Sequence, residues 1–218
     1  MASTRRPRPA TARPAATTDA KSRFDADYYR RFYGDPKTRV VNAAAVARLA
    51  GFVAGYLRYL DVPVRSILDI GCGLGHWRTA ARRLWPRARY HGVEYSEHLC
   101  ARFGWTQGSV VDFAPERLRP DGQFDLIVCQ GVLQYLEAEA AQQALANLGR
   151  WCRGALYLEA LTTRDWRENC DRGRTDGQVH LRSGAWYRTA LRRDFVAAGG
   201  GVFLPRRGGV TLFELEST

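Results

Sequence analysis

From residue 65 onward, strand-like and helix-like runs alternate along the chain, and this alternation restricts the fold more than any other feature. The strand-like runs are Arg65–Ile70, Arg89–Glu94, Phe103–Gln107, Phe124–Gln130 and Ala155–Glu159. The helix-like runs are His76–Leu84, Ser96–Ala101, Glu137–Cys152 and Ser183–Ala198. Because strands that alternate with helices form a parallel sheet covered on both faces, the pattern predicts an α/β fold with a doubly wound, Rossmann-like sheet.

The C-terminus interrupts this alternation. Two further strand-like runs, Gly201–Pro205 and Val210–Glu216, are separated only by the short segment Arg206–Gly209. A connection that short cannot cross over a sheet, so it predicts an antiparallel hairpin. Together with the earlier strands, the hairpin predicts a seven-stranded sheet whose last strand is antiparallel.

Two segments precede the alternation. Residues 1–22 are rich in Ala, Thr, Arg and Pro and contain no aromatic residue, so we expect a disordered basic tail. Residues 23–62 combine clustered aromatic residues with apolar residues at helical spacing, which predicts an N-terminal helical lid. The domain that this lid covers is expected to span residues 63–218.

The net charge of +11 raises the question of a nucleic-acid partner. Only two of the 33 basic residues are lysines, Lys21 and Lys37, and such an arginine bias is more typical of GC-rich coding than of a selected patch. Part of the excess charge lies in the tail, and the remaining sequence contains no clustered basic stripe. The composition therefore disfavours nucleic acid as a partner.

The cysteines and the apolar runs indicate the cellular compartment. Five cysteines are widely spaced without a CxxC pair, which favours small buried side chains in a reducing compartment over disulfides or a metal site. No apolar run approaches the roughly 18 residues of a membrane span. We therefore expect a cytoplasmic protein without a membrane or metal partner.

A strand–turn–helix motif contains the chemically informative glycines. The apolar strand before Asp69 ends in Gly71-Cys72-Gly73-Leu74-Gly75, a Gly-x-Gly-x-Gly turn that opens the next helix. Glycines there permit positive φ and let a ligand lie against bare backbone. Glu94 ends the second strand, where an acid accepts the ribose hydroxyls in nucleotide-binding α/β folds. Taken singly, Asp69 is equally compatible with a turn cap and Glu94 with a surface acid.

These motifs, with Gly108–Asp112 after the third strand and Phe124–Leu133 around the fourth, resemble class I S-adenosylmethionine-dependent methyltransferases over roughly residues 64–216. The resemblance implies a site for S-adenosyl-L-methionine in which Gly71, Cys72, Gly73 and Gly75 contact the methionine part. Asp69 would support the loop or bind the α-amino group. It assigns Glu94 to the ribose, Tyr95, Val110, Val111 and Asp112 to the adenine, and Gln130 and Gly131 to the methionine arm. Ser109 departs from the family, in which many members carry Asp there.

The acceptor side is less sharply defined. Leu161–Arg182 is a long connection without core periodicity, and connections of this length are usually functional or disordered. His180, the only histidine in it, is a candidate general base or an ordinary loop residue. The aromatic residues expected to line an acceptor pocket, or to pack the lid, are Tyr28, Tyr29, Trp166 and Trp186.

Arg39 is a candidate partner for the methionine carboxylate. It follows the aromatic cluster and leads into an apolar helix, and a guanidinium offers a planar match to a carboxylate. Some methyltransferases place an aromatic residue and then an arginine over the cofactor, and Tyr33 with Arg39 is similar in outline. A solvated arginine, or one paired with Asp35, is the alternative.

Several functions share this fold. The Gly-x-Gly-x-Gly spacing and the terminal hairpin disfavour a nicotinamide-dependent oxidoreductase, and an aminopropyl transferase and a non-catalytic cofactor-binding subunit stay open. No Pro-Pro-Tyr motif follows the fourth strand, and the residues there resemble those of small-molecule methyltransferases. This disfavours amino methylation of DNA or RNA and leaves other nucleic-acid or protein targets open. The sequence names neither the acceptor nor the oligomeric state.

Overall fold

The computed structural model describes residues 24–34 and 42–217. Seven strands form one sheet in the order β3-β2-β1-β4-β5-β7-β6. Strands β1 to β5 pair in parallel, whereas β7 runs antiparallel to both β5 and β6. The strands are β1 (Ser66–Ile70), β2 (Arg89–Glu94), β3 (Thr106–Gln107), β4 (Phe124–Gln130), β5 (Cys152–Glu159), β6 (Phe195–Ala197) and β7 (Val202–Pro205). The predicted doubly wound α/β architecture is confirmed.

Helices alternate with these strands. They are α1 (Ala26–Tyr29), which continues into a π-helical turn (Arg30–Gly34), α2 (Ala43–Tyr59), α3 (His76–Leu84), α4 (Glu97–Phe103), α5 (Ala138–Trp151), α6 (Thr163–Glu168) and α7 (Gly184–Leu191). Short 3-10 turns occupy Pro115–Arg117, Leu133–Tyr135, Arg206–Gly208 and Glu214–Glu216. Across residues 24–34 and 42–217, no helix is long and apolar enough to cross a membrane.

The two faces of the sheet have separate apolar cores. Ile67 of β1 and Leu126 of β4 lie in the core formed with α2 and α3, while the adjacent Leu68 and Ile127 lie in the core formed with α5 and α7. Both faces are buried, which explains why the central strands read as continuous apolar runs instead of alternating ones. The edge formed by the carboxyl ends of the parallel strands is left for binding.

The antiparallel hairpin is present, but it lies one element earlier than predicted. The helix expected over Ser183–Ala198 ends at Leu191, and strand β6 follows it. Three consecutive glycines, Gly199 to Gly201, adopt φ values of 82°, 57° and 80° and form the turn between β6 and β7. Glycine adopts such positive φ values readily, so this triplet forms the turn. The apolar periodicity had predicted instead that the helix continues to Ala198.

The strand predicted over Val210–Glu216 is therefore wrong. After β7, the guanidinium of Arg207 donates to the carbonyls of Gly149, Arg150 and Cys152, each at 2.9 Å. These bonds hold the chain at the end of α5. The following residues leave the sheet and end in a 3-10 turn, Glu214–Glu216.

The N-terminal calls have different outcomes. Helix α1 is present in the N-terminal segment, and α2 packs against α3 and the sheet. Asn42 caps α2, because its side chain accepts the Ala45 N–H at 2.9 Å. The predicted disordered tail, residues 1–22, lies outside the described residues. The division of the chain at residues 22 and 62 stays a prediction.

Candidate functional site

The glycine loop between β1 and α3 forms an open cradle. Gly71 and Gly73 have φ values of 71° and 51°. A Cβ at Gly71 would lie 2.4 Å from Val132 Cγ2, so this glycine allows a close approach between two loops. At Gly73 the nearest atom is the Gly71 carbonyl oxygen, 3.9 Å away, which leaves room above the loop. No side-chain atom lies within 4 Å of a Cβ built at Gly73.

The loop is held from below by the sheet. The Gly71 N–H donates to the Val93 carbonyl at 2.8 Å, and Trp105 Nε1 donates to the Gly73 carbonyl at 2.9 Å. The Trp105 ring also fills the space beside Gly75, where a Cβ would lie 2.8 Å from Cζ2. Trp105 is a supporting residue that the sequence analysis missed, because its contact with the loop joins residues far apart in the chain.

Glu94 connects the glycine loop to the end of β2. Only 4% of this residue is exposed, and one carboxylate oxygen, Oε2, accepts the Gly73 N–H at 2.8 Å. The other, Oε1, accepts the N–H groups of Tyr95 and Ser96 at 2.9 and 3.0 Å and the Tyr29 hydroxyl at 3.3 Å. Four donors compensate the carboxylate for its lost hydration and fix its position beside the loop.

Asp69 adds a second buried carboxyl group to this part of the site. Its side chain is 2% exposed and accepts a hydrogen bond from the Tyr90 hydroxyl. Burial raises the pKa of Asp69 to about 7; the Tyr90 hydrogen bond opposes this shift, and the negative charge of Glu94 adds to it. Within the described part of the chain, neither Asp69 nor Glu94 forms an ion pair with a basic residue. Electrostatically, the pair favours a cationic ligand.

The predicted adenine residues after β3 form a self-contained turn. Val110 is buried in the core, and the Asn147 amide donates to the carbonyls of Val110 and Val111, both at 2.8 Å. The Ser109 hydroxyl accepts the Val111 N–H at 3.2 Å, and the exposed Asp112 accepts the Ser109 N–H at 3.3 Å. Asp112 therefore stabilises this turn in the described structure, and its contact with adenine stays a prediction.

Gln130 and Gly131 lie where β4 and β5 end together. The Gly131 N–H donates to the backbone carbonyl of Glu159 at 2.9 Å. The Gln130 side chain accepts from Trp77 Nε1 at 2.8 Å and donates to Glu159 Oε2 at 3.2 Å. The Tyr157 hydroxyl donates to the same Glu159 oxygen at 2.9 Å. This network ties the first turn of α3 to both strand ends.

The N-terminal segment lies over the carboxyl ends of the strands. Phe24 stands between Tyr95 after β2 and Tyr135 after β4, with ring centroids 6.3 and 5.2 Å away. The Tyr28 and Tyr135 hydroxyls are 2.9 Å apart, and Tyr29 reaches Glu94 as described above. The predicted substrate residues Tyr28 and Tyr29 thus contact the same edge as the cofactor candidates.

His180 lies beside the loop that follows β4. Its N–H donates to the Gln134 carbonyl at 2.7 Å, and its side chain is exposed. Arg182 fixes this part of the long connection by donating to the carbonyls of Leu133, Leu136 and His180 at 3.2, 2.5 and 3.1 Å. Arg182 was not predicted as a functional residue, because nothing in the local sequence distinguishes it from the many other arginines.

The two tryptophans predicted on the acceptor side have different surroundings. Trp166 packs within its own connection, where the Arg172 guanidinium lies 5.5 Å from the ring centroid and Gly177 approaches the ring edge. Trp186 stacks under the Arg182 guanidinium at 5.0 Å and packs against the α5–α7 core. Trp186 is therefore connected to the site through Arg182, whereas Trp166 stabilises the connection itself.

Two predicted residues are not described with their side chains. Tyr33 belongs to the π-helical turn, and Arg39 lies in the segment outside the described residues. Their expected contact with the methionine carboxylate stays a prediction.

Part of the chain is similar to known proteins. Residues 68–154 match the family described as a methyltransferase domain. The malonyl-acyl-carrier-protein O-methyltransferase of Bacillus cereus is 29% identical over 96 residues, which are 42% of this chain and 35% of that protein. The chain thus spans about a third of the length of this relative.

Solved structures show the same fold. The magnesium protoporphyrin IX methyltransferase ChlM of Synechocystis with bound S-adenosylhomocysteine has a TM-score of 0.56 at 20% identity, covering 83% of this chain and 90% of that chain. The plantazolicin methyltransferase BpumL in complex with S-adenosylhomocysteine has a TM-score of 0.58 at 16% identity, covering 81% and 76%. DesVI of Streptomyces venezuelae has a TM-score of 0.55 at 18% identity, covering 73% and 91%.

Proposed function

We propose that the chain is a class I, S-adenosylmethionine-dependent methyltransferase that transfers a methyl group from this cofactor to a small-molecule acceptor. The observation that carries the proposal is the bond from the Gly73 N–H to the buried carboxylate of Glu94. This bond supports the proposal because it joins the acid that we assign to the ribose to the glycine loop that we assign to the methionine arm.

The residues present fit this cofactor. Glu94 already accepts an O–H group, that of Tyr29, at the oxygen where a ribose hydroxyl would donate. The absence of side-chain atoms within 4 Å of a Cβ built at Gly73 suits a ligand chain that lies against the backbone. The buried carboxyls of Asp69 and Glu94 favour a ligand that carries a sulfonium and an ammonium group. Geometry, room and charge agree.

When bound, S-adenosylmethionine supplies an electrophilic methyl group. The chain's own residues have to orient the acceptor and exclude water, which contribute much of the catalysis in an in-line displacement. Aromatic residues of the N-terminal segment, Phe24, Tyr28 and Tyr29, cover the strand ends where this exclusion is needed. Their position supports a lid function.

We propose His180 as the candidate base for acceptors that must lose a proton. A neutral imidazole accepts a proton near neutral pH. The backbone of His180 is anchored to the turn after β4, and its side chain is exposed beside that turn. An acceptor that is already anionic, such as a carboxylate, needs no base.

Three observations support a small-molecule acceptor. The text after β4, Gln130-Gly131-Val132-Leu133, lacks the Pro-Pro-Tyr motif of base-methylating enzymes. The similar proteins include methyltransferases named for magnesium protoporphyrin IX and plantazolicin. The matched relative is named for malonyl-acyl-carrier protein, whose methylated group is small although its carrier is a protein.

A cytoplasmic location accompanies the proposal, because all five cysteines are free, as in proteins of reducing compartments.

A methyl-transfer assay tests the function. Purified protein is incubated with methyl-labelled S-adenosylmethionine and a panel of carboxylates, phenols, amines and acyl-carrier-protein thioesters, and the release of S-adenosylhomocysteine is measured. Turnover of a small acceptor by the wild type, lost in Glu94→Ala, is the expected result. Cofactor binding without turnover of any class would favour a non-catalytic subunit, and turnover of nucleic acid or protein alone would contradict the acceptor class.

A further inference from the structure

We infer that Glu159 binds the α-ammonium group of the cofactor's methionine moiety, an assignment that rests on the proposed function. Glu159 is the last residue of β5, and its Oε2 accepts hydrogen bonds from Tyr157 and Gln130 at 2.9 and 3.2 Å. Tyr157 lies two residues earlier in the same strand, and Gln130 ends the neighbouring strand β4. The carboxylate therefore has a fixed position at the binding edge, unlike an ordinary surface glutamate.

Glu159 lies in the same opening as the glycine cradle. Trp77, in the first turn of α3 just beyond Gly75, donates to the Gln130 amide, which in turn donates to Glu159. The backbone of Glu159 also accepts the N–H of Gly131 at 2.9 Å. The side-chain connection links this carboxylate to the first turn of α3, and the backbone bond joins the end of β5 to the loop after β4 that is assigned to the methionine arm.

The position of Glu159 on the sheet separates it from the acceptor candidates. Tyr157 and Trp77, which surround it, belong to the core between the sheet and helices α2 and α3. Leu133, which leads toward His180, belongs to the core on the opposite face with α5 and α7. The α3 face is the side on which the glycine loop enters its helix. A carboxylate on this side is placed to bind the amino-acid end of the cofactor.

Charge identifies the ligand group. The Glu159 side chain is exposed, and no ion pair joins it to a basic residue among residues 24–34 and 42–217. Tyr157 and Gln130 both use the Oε2 atom, and no bond to Oε1 is formed within those residues. An ammonium group supplies the charge-assisted donors that a positioned carboxylate binds best. The methionine moiety carries this group, whereas the adenosine moiety does not.

The test compares three ligands that differ at the amino-acid end. S-adenosylhomocysteine has both the ammonium and the carboxylate, its decarboxylated analogue has the ammonium alone, and methylthioadenosine has neither. Calorimetry measures their affinities for the wild type and for Glu159→Gln, which keeps the shape and removes the charge. We expect about a three- to tenfold loss for both ammonium ligands, because the contact is partly solvated, and no loss for methylthioadenosine.

Tyr157→Phe is the second variant, because it keeps the charge of Glu159 and removes one of the groups that position it. We expect a smaller loss with the same ligand pattern. Equal losses for all three ligands, or unchanged affinity for S-adenosylhomocysteine, would overturn the assignment. An unchanged affinity accompanied by a raised acceptor KM would assign Glu159 to the acceptor instead. Failure of the wild type to bind any of the three ligands would instead contradict the proposed function itself.

Discussion

The cofactor side and the acceptor side of the opening are built differently. On the cofactor side, Glu94 and Asp69 are almost fully buried. Backbone N–H groups donate to the Glu94 carboxylate, and the Tyr90 hydroxyl donates to that of Asp69, so both side chains have fixed positions. On the acceptor side, His180 is exposed and is fixed by its backbone and by Arg182. Under the proposed assignment, this difference means that the cofactor is held by a buried, preorganised site, whereas the acceptor is recognised by an exposed connection.

Glu94→Ala tests the cofactor side with the largest expected effect. The variant removes the acceptor of three backbone N–H groups and of the ribose hydroxyls. We expect about a ten- to hundredfold weaker affinity for S-adenosylhomocysteine, and a free energy of unfolding lowered by about 2–4 kcal/mol. Calorimetry and urea unfolding measure the two effects, and Glu94→Gln is the matched control that keeps the shape. If folded Glu94→Ala bound S-adenosylhomocysteine with unchanged affinity, Glu94 would not belong to the cofactor side.

The cofactor side was readable from the sequence because its signals are local. Asp69, the glycine loop and Glu94 end two adjacent strands, and the spacing of such strand ends follows from the β/α alternation. Strands β1, β2 and β4 were placed nearly at their observed bounds for the same reason, whereas β3 begins later than predicted, at Thr106, and β5 begins earlier, at Cys152. Local patterns of this kind are fixed by backbone conformation, so the sequence carries them directly.

The features that the sequence did not reveal depend on long-range contacts. Asn147 meets the Val110 carbonyl across 37 residues, and Arg182 meets Leu133 across 49 residues. The end of α7 was missed because an apolar period continued through β6 up to the Gly199 turn. Glu159 was detectable in part, since an acid that ends a strand at the binding edge is itself a signal.

Asp69→Asn tests the electrostatics of the cofactor side. Burial raises the pKa of Asp69 to about 7, compared with about 4 in the unfolded chain. The stability that the protonated carboxyl provides is fully present below pH 4 and is lost as the pH rises through 7. Because the two pKa values differ by about three, we expect this contribution to fall by an amount on the order of 4 kcal/mol in the wild type and to be absent in the variant. Urea unfolding of both proteins between pH 4 and 8 measures this contribution. If the free energy of unfolding changed with pH in the same way in the wild type and in Asp69→Asn, the prediction would be contradicted.

Arg182→Ala tests the acceptor side. The variant removes the guanidinium that holds three carbonyls of the β4 turn and of the connection, and that stacks on Trp186. We expect about a tenfold lower kcat/KM for the acceptor, because misplacement of a positioning group costs rate, and an unchanged affinity for S-adenosylhomocysteine. Arg193→Ala, at an exposed position, is the matched control. A comparable loss of cofactor affinity would show that the two sides are not separate.

Tyr29→Phe has the smallest expected effect. The Tyr29 hydroxyl donates to the Glu94 oxygen that a ribose hydroxyl is expected to use, at a rather long distance of 3.3 Å. Removal of this competing donor should raise the affinity for S-adenosylhomocysteine about two- to threefold. Calorimetry measures the change. A lowered affinity would show instead that Tyr29 supports Glu94 in the bound state.

A crystal structure of the protein with S-adenosylhomocysteine tests the central claim most directly. We expect the ribose hydroxyls within about 2.6–3.2 Å of the Glu94 carboxylate, with the homocysteine chain against the backbone at Gly73 and the Tyr29 hydroxyl displaced from Glu94. An adenosyl group bound elsewhere, or a ribose without contact to Glu94, would contradict the assignment of this loop as the cofactor site.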